Sequence, residues 1–71
     1  MTQRIKLLDV VALTKDIPNQ PLRRGQVGTV VETLGSGHYE VEFFDDEGRT
    51  YAEASVNGED LIVLHYQPQS A

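Results

Sequence analysis

The chain has no cysteine among its 71 residues. That excludes disulfides and thiolate metal sites, and it suits a reducing compartment. No run approaches the roughly 18 apolar residues that a membrane-spanning helix needs. The opening Met1-Thr2-Gln3-Arg4-Ile5-Lys6 lacks the apolar stretch of a secretory signal. A cytoplasmic protein with no membrane partner is the expectation. Sustained helical periodicity is also missing, as are repeats and low-complexity blocks, so helix bundles and arrays are excluded.

Catalytic chemistry is equally scarce. The only serines are Ser36, Ser55 and Ser70, and none lies in a nucleophile motif. His38 and His65 stand far apart and have no thiolate to join them, which makes a poor metal site. Asp45-Asp46-Glu47-Gly48 lacks the alternating ligand spacing of a calcium loop. Carboxylates are abundant, but a carboxylate on the solvent face of a strand is not an acid poised in a pocket. No catalytic residue, metal or cofactor is called for, and the expectation is a protein that is not an enzyme.

What the chain does have is strand after strand. Asp9-Val10-Val11-Ala12-Leu13 is apolar and β-branched, with Leu7 and Leu8 leading in and placed to close one end of the core. Thr14 to Pro21 is a long loop, because Pro18 and Pro21 lack backbone donors. Gly25 turns the chain into a second strand, Val27 to Leu34, and Gly28 within it marks a bulge or a close backbone approach. Gly35-Ser36-Gly37 has the backbone freedom of a tight reversal. Next comes the clearest alternation of all, with Tyr39, Val41 and Phe43 facing one way and Glu40 and Glu42 the other. A turn at Asp45–Gly48 leads to a fourth strand, Thr50 to Val56. Asn57-Gly58-Glu59-Asp60 forms one tight turn, with a 3-10 helical turn as one option, before Leu61 to Leu64 closes as a fifth. The spacing predicts an all-β domain over residues 1–64, a small five-stranded SH3-like barrel, with 65–71 as a frayed polar tail. An open antiparallel sheet that dimerises is the alternative architecture.

The charge is lopsided. Residues 1–31 set Arg4, Lys6, Lys15, Arg23 and Arg24 against Asp9 and Asp16, a net +3. Residues 32–71 set Arg49 alone against Glu32, Glu40, Glu42, Asp45, Asp46, Glu47, Glu53, Glu59 and Asp60, a net −8. Nucleic-acid affinity rests on neutralising phosphates, so the second half argues against a nucleic-acid partner. A basic or mixed-charge protein surface is the better electrostatic match.

Three stretches together, Lys6 to Leu13, Leu22 to Val31 and Tyr39 to Phe43, resemble the domain-of-unknown-function 4926 family. Gly48-Arg49-Thr50-Tyr51-Ala52 and Asp60-Leu61 extend the likeness to about residues 5–64. The resemblance implies a short bacterial protein with an SH3-like fold. Some members look like the small partner in toxin and antidote gene pairs, and others are similar to a photosynthetic dehydrogenase subunit implicated in ferredoxin docking. Both implied roles are protein binding. Gly25-Gln26-Val27-Gly28-Thr29-Val30 also resembles the KOW segment of ribosomal and transcription-elongation proteins, where basic residues beside the glycine meet RNA or a polymerase.

Two candidate surfaces follow. The first is a partner-binding face of Glu40, Glu42, Phe44, Asp45, Asp46, Tyr51 and Glu53. Phe44 points outward beside the acidic turn, or a bulge turns it back into the core, and Tyr51 poses the same question. Ile62 and Val63 cannot both face one core, so apolar surface remains for a partner or a second copy. The second candidate is an anion grip at Arg23 and Arg24, by bidentate contact with a carboxylate or phosphate. Its alternative is a solvated or ion-paired turn. The functional expectation is a non-catalytic protein-binding module, an antidote or regulatory subunit. A KOW-like RNA or ribosome binder and a homo-oligomeric structural protein are the competing readings.

Overall fold

The computed structural model describes residues 4–66 and 68. Met1–Gln3, Ser70 and most of the expected tail lie outside the described residues. The five strands are β1 (Val10–Leu13), β2 (Val27–Gly35), β3 (His38–Phe44), β4 (Thr50–Asn57) and β5 (Leu61–Val63), with one 3-10 turn at Gly58–Asp60. All pair antiparallel in one sheet of order β4-β3-β2-β1-β5. The all-β, five-stranded expectation holds, and each strand falls where alternation and turn residues put it.

The ladder does not close into a barrel. Among the described residues no pairing links β4 to β5, so these are the two edges. The sheet nevertheless curls around one core. Val11 and Leu13 of β1, Val30 of β2, Val41 and Phe43 of β3, Ala54 and Val56 of β4 and Leu61 of β5 form a single buried cluster. With no second layer of structure among the described residues, a flat sheet could not bury both Val11 and the edge residue Val56. Burying both faces of that cluster removes from water the apolar side chains that supply most of the stability of so short a chain.

The long loop is part of the core. Leu22 is fully buried and Ile17 packs against the same cluster. An isolated bridge joins them, with the Ile17 N–H donating to the Leu22 carbonyl at 2.9 Å. The loop therefore plugs one end of the curled sheet. Leu7 and Leu8 do not serve that purpose: they are 56% and 69% exposed. The Leu8 backbone bonds to the Val30 carbonyl at φ 72°, a left-handed conformation that turns the chain outward, and Ile5 packs on the core instead.

Two glycines explain the bends. A Cβ at Gly28 would stand 2.6 Å from the Glu42 carbonyl oxygen and 2.6 Å from a Val41 methyl, so β3 crosses β2 where only glycine fits. Close approach is the reason for Gly28; the register shifts of β2 against β3 fall later, between Val30 and Glu32 and between Thr33 and Gly35. In the β2–β3 reversal Gly35 pairs with His38, leaving Ser36 (φ 53°) and Gly37 (φ 77°) as the two central residues. Positive φ at both is the signature of a type I′ hairpin turn.

Candidate functional site

Strand parity puts Tyr39, Val41 and Phe43 inside and Glu40, Glu42 and Phe44 outside on β3. On β4 it puts Ala52, Ala54 and Val56 inside and Tyr51, Glu53 and Ser55 outside. Register aligns the outward rows. Glu42 lies opposite Glu53, Glu40 lies opposite Ser55, and on the other side Glu32 lies opposite Glu40. Four glutamates thus share one outer face, and none has an ion-pair partner among the described residues. The Glu40 carboxyl titrates above the ordinary glutamate value of 4.5. Partial burial is the main cause, and the neighbouring charges of Glu53 and Glu32 add to it.

At the foot of this face the register slips between Phe43 and Phe44: Phe43 pairs with Ala52 and Phe44 with Thr50. The slip leaves Tyr51 as the extra residue of a bulge. Phe44 stays out of the buried cluster and is half-buried, and Tyr51 is 44% exposed. Together with Val27, Leu64 and Tyr66 they line an open, mostly apolar cleft of about 700 Å³, bordered by Asp45 and Asp46. Of the apolar pair near the C-terminus, Val63 packs on the core and Ile62, at 49%, is the exposed one. Strand parity explains this, since Val63 pairs with the inward Val11 and Ile62 with Ala12. Ile62 borders a second open cleft at the other end, beside Ile5, Tyr39 and Gly58.

Asp45 organises the β3–β4 turn. Its Oδ1 accepts from the Glu47 and Arg49 backbone N–H groups at 2.9 Å each, and its Oδ2 accepts from Arg49 Nε at 3.1 Å. The Arg49 backbone bond, followed by that of Glu47 and by the guanidinium contact, lowers the Asp45 carboxyl below the ordinary aspartate range. Asp45 is therefore occupied within its own turn, and Asp46 is the freer carboxylate at the cleft.

Arg23 and Arg24 fold into a different local knot. Asp16 on the long loop accepts from the Arg24 backbone N–H at 2.9 Å and sits 3.5 Å from the Arg23 guanidinium. The backbone bond first, and the two arginine charges after it, lower the Asp16 carboxyl. Arg23 is thus ion-paired within its own turn, and Arg24 joins the knot through its backbone alone. The arginines lie on the opening turn before β2, and among the described residues no ion pair joins them to the glutamate face.

Among the described residues no cluster of His, Cys, Asp and Glu is arranged to hold a metal ion. His38 lies in the hairpin, with Nδ1 at 3.1 Å from the Ser36 carbonyl, which only an Nδ1–H donor can satisfy. No helix of the described residues is long and apolar enough to cross a membrane.

The curled sheet with an unpaired acidic face and an aromatic cleft defines a small all-β domain whose distinctive chemistry lies on its surface. The chain belongs to the family described as "Domain of unknown function (DUF4926)", which matches residues 7–63. No curated protein and no solved structure matches it. The outer face follows from strand parity, but three apolar parts of the cleft, Val27, Leu64 and Tyr66, do not. Val27 belongs to it because the β2–β3 register, with Gly28 opposite Phe43, sets Val27 beside Phe44, and Leu64 and Tyr66 reach it from the end of β5.

Proposed function

We propose that this protein is a non-catalytic protein-binding module that works through the outer face of β3 and β4, as a bacterial, cytoplasmic antidote or regulatory subunit. One observation carries the reading: the half-exposed Phe44 and Tyr51 form an apolar cleft continuous with a row of unpaired glutamates. Aromatic residues in such a setting dominate binding energies, and truncating one typically costs about 2 kcal/mol or more. The surrounding carboxylates favour a basic partner by steering its approach and excluding acidic ones.

The same surface argues against RNA. Of the two arginines that would meet phosphate, the Arg23 guanidinium lies beside Asp16, while the sheet presents carboxylates. The test is photo-crosslinking from position 51 in the source cell, with position 23 as the control. A protein adduct from position 51 supports the reading. Adducts to nucleic acid alone, or to protein from position 23 alone, overturn it.

A further inference from the structure

The two edges of the sheet are unequal. β5 is three residues long, whereas β4 runs for eight and, among the described residues, has β3 as its only strand neighbour. In an antiparallel ladder every second residue of an edge strand turns its N–H and C=O away from the sheet. Beyond its β3 ladder, no backbone bond of Thr50–Val56 is made among the described residues, and Asn57 at its end caps the 3-10 turn. Natural edges are blunted by proline, lysine, brevity or a covering loop. β4 contains no proline and no lysine, and its one charged side chain is Glu53.

We propose that β4 accepts an extended cationic segment of a partner protein as a sixth strand. This rests on the protein-binding reading and names the partner's chemistry. A strand added beside β4 would place alternate side chains next to Tyr51, Glu53 and Ser55 on the outer face, and the others next to Ala52, Ala54 and Val56. Lysine or arginine on the outer row meets Glu53 and, one strand further in, Glu42. Small apolar residues on the inner row extend the buried cluster, where Ala54 and Val56 already lie. A second copy of this chain is the wrong occupant. Edge-to-edge pairing would bring two glutamate faces together on a protein of net charge −5.

The probe is an acetylated, amidated nonapeptide alternating lysine with valine. Two further copies are N-methylated on alternate amides, one copy for each edge. Titrated into the isotope-labelled protein at low salt, the parent peptide shifts the amide signals of residues 50–57 above all others and slows their hydrogen exchange. One methylated copy binds at least tenfold more weakly, and so does the parent peptide to the Glu53→Lys variant. Shifts centred elsewhere, full binding by both methylated copies, full binding by Glu53→Lys, or a peptide-free dimer that already protects β4 each overturn the proposal. A protein crosslink from position 51 without protection of β4 overturns the sixth strand and leaves the binding-module reading standing. Peptide binding on β4 with no crosslink at that position in the cell does the reverse.

Discussion

Gly28 and Glu42 meet so closely that a Cβ on the glycine would stand 2.6 Å from the glutamate's carbonyl oxygen. A backbone oxygen within a ladder cannot swing aside as a side chain can. Gly28→Ala is expected to destabilise the fold by about 1–3 kcal/mol, the range for overpacking a tight interior. Gly58→Ala is the control. Its new methyl would meet the edge of the Tyr39 ring at 2.9 Å, a half-buried side chain with room to turn. Urea denaturation of the two variants should place Gly28→Ala well below Gly58→Ala in midpoint, with unchanged slopes.

Leu22 sits in a loop and behaves as core. Leu22→Ala is expected to cost about 2–5 kcal/mol, as for a buried strand position. In a domain of this size each 1 kcal/mol moves the melting temperature by roughly 4–8 °C, so calorimetry reads the effect directly. A loss below 1 kcal/mol would mean that the loop does not plug the core in solution.

The acid limb of stability has two opposed contributors. The Glu40 carboxyl is raised by burial, so its ionised form costs stability at neutral pH, and the cost is relieved as pH falls through its folded pKa toward 4.5. Asp16 and Asp45 are lowered, so their contribution is complete above the ordinary aspartate value of 3.8 and is lost as pH falls below it. Glu40→Gln should therefore raise the melting temperature at pH 7 and leave it unchanged at pH 3. Asp45→Asn should lower it at pH 7, with the difference shrinking below pH 3.8. Melting curves across pH 2.5–7 check both signs.

Tyr51→Ala separates binding from folding. The side chain is nearly half exposed at a bulge, so the stability change should stay within about 0.5 kcal/mol. Capture of the partner should fall at least tenfold, as for a hot-spot aromatic. Equal capture by the variant, measured on purified protein against a cell lysate with quantified partner, would move the binding surface away from the cleft.

The strands and the turns between them were legible because the signals are local, whereas the open order of the sheet and its two free edges were not. Alternation at Tyr39–Phe43, paired glycines at the hairpin and Gly48 in the second turn each act over a few residues. The acidic face followed from the same parity. What the sequence did not show depends on pairing between segments apart in the chain. Leu22 and Leu64 acquire their places through contacts with distant segments and Val27 through the β2–β3 register, and no periodicity marks them. Val63 and Ile62 divided according to the pairing partner in β1, which a run of four apolar residues cannot specify. The Tyr51 question turned on a one-residue slip of β4 against β3, invisible without the register, whereas Phe44 simply follows β3 parity.

The β1–β5 ladder joins Val11 to Val63, partners from opposite ends of the chain, whereas β2, β3 and β4 are joined by short turns. Closing a long loop costs entropy before any contact repays it. Folding should thus begin in the β2–β3–β4 meander and finish when the two ends zip together. Substitutions in the Ser36-Gly37 turn would slow folding, while Val63→Ala would mainly speed unfolding. The edge open to a partner strand would then belong to the part of the protein that forms first.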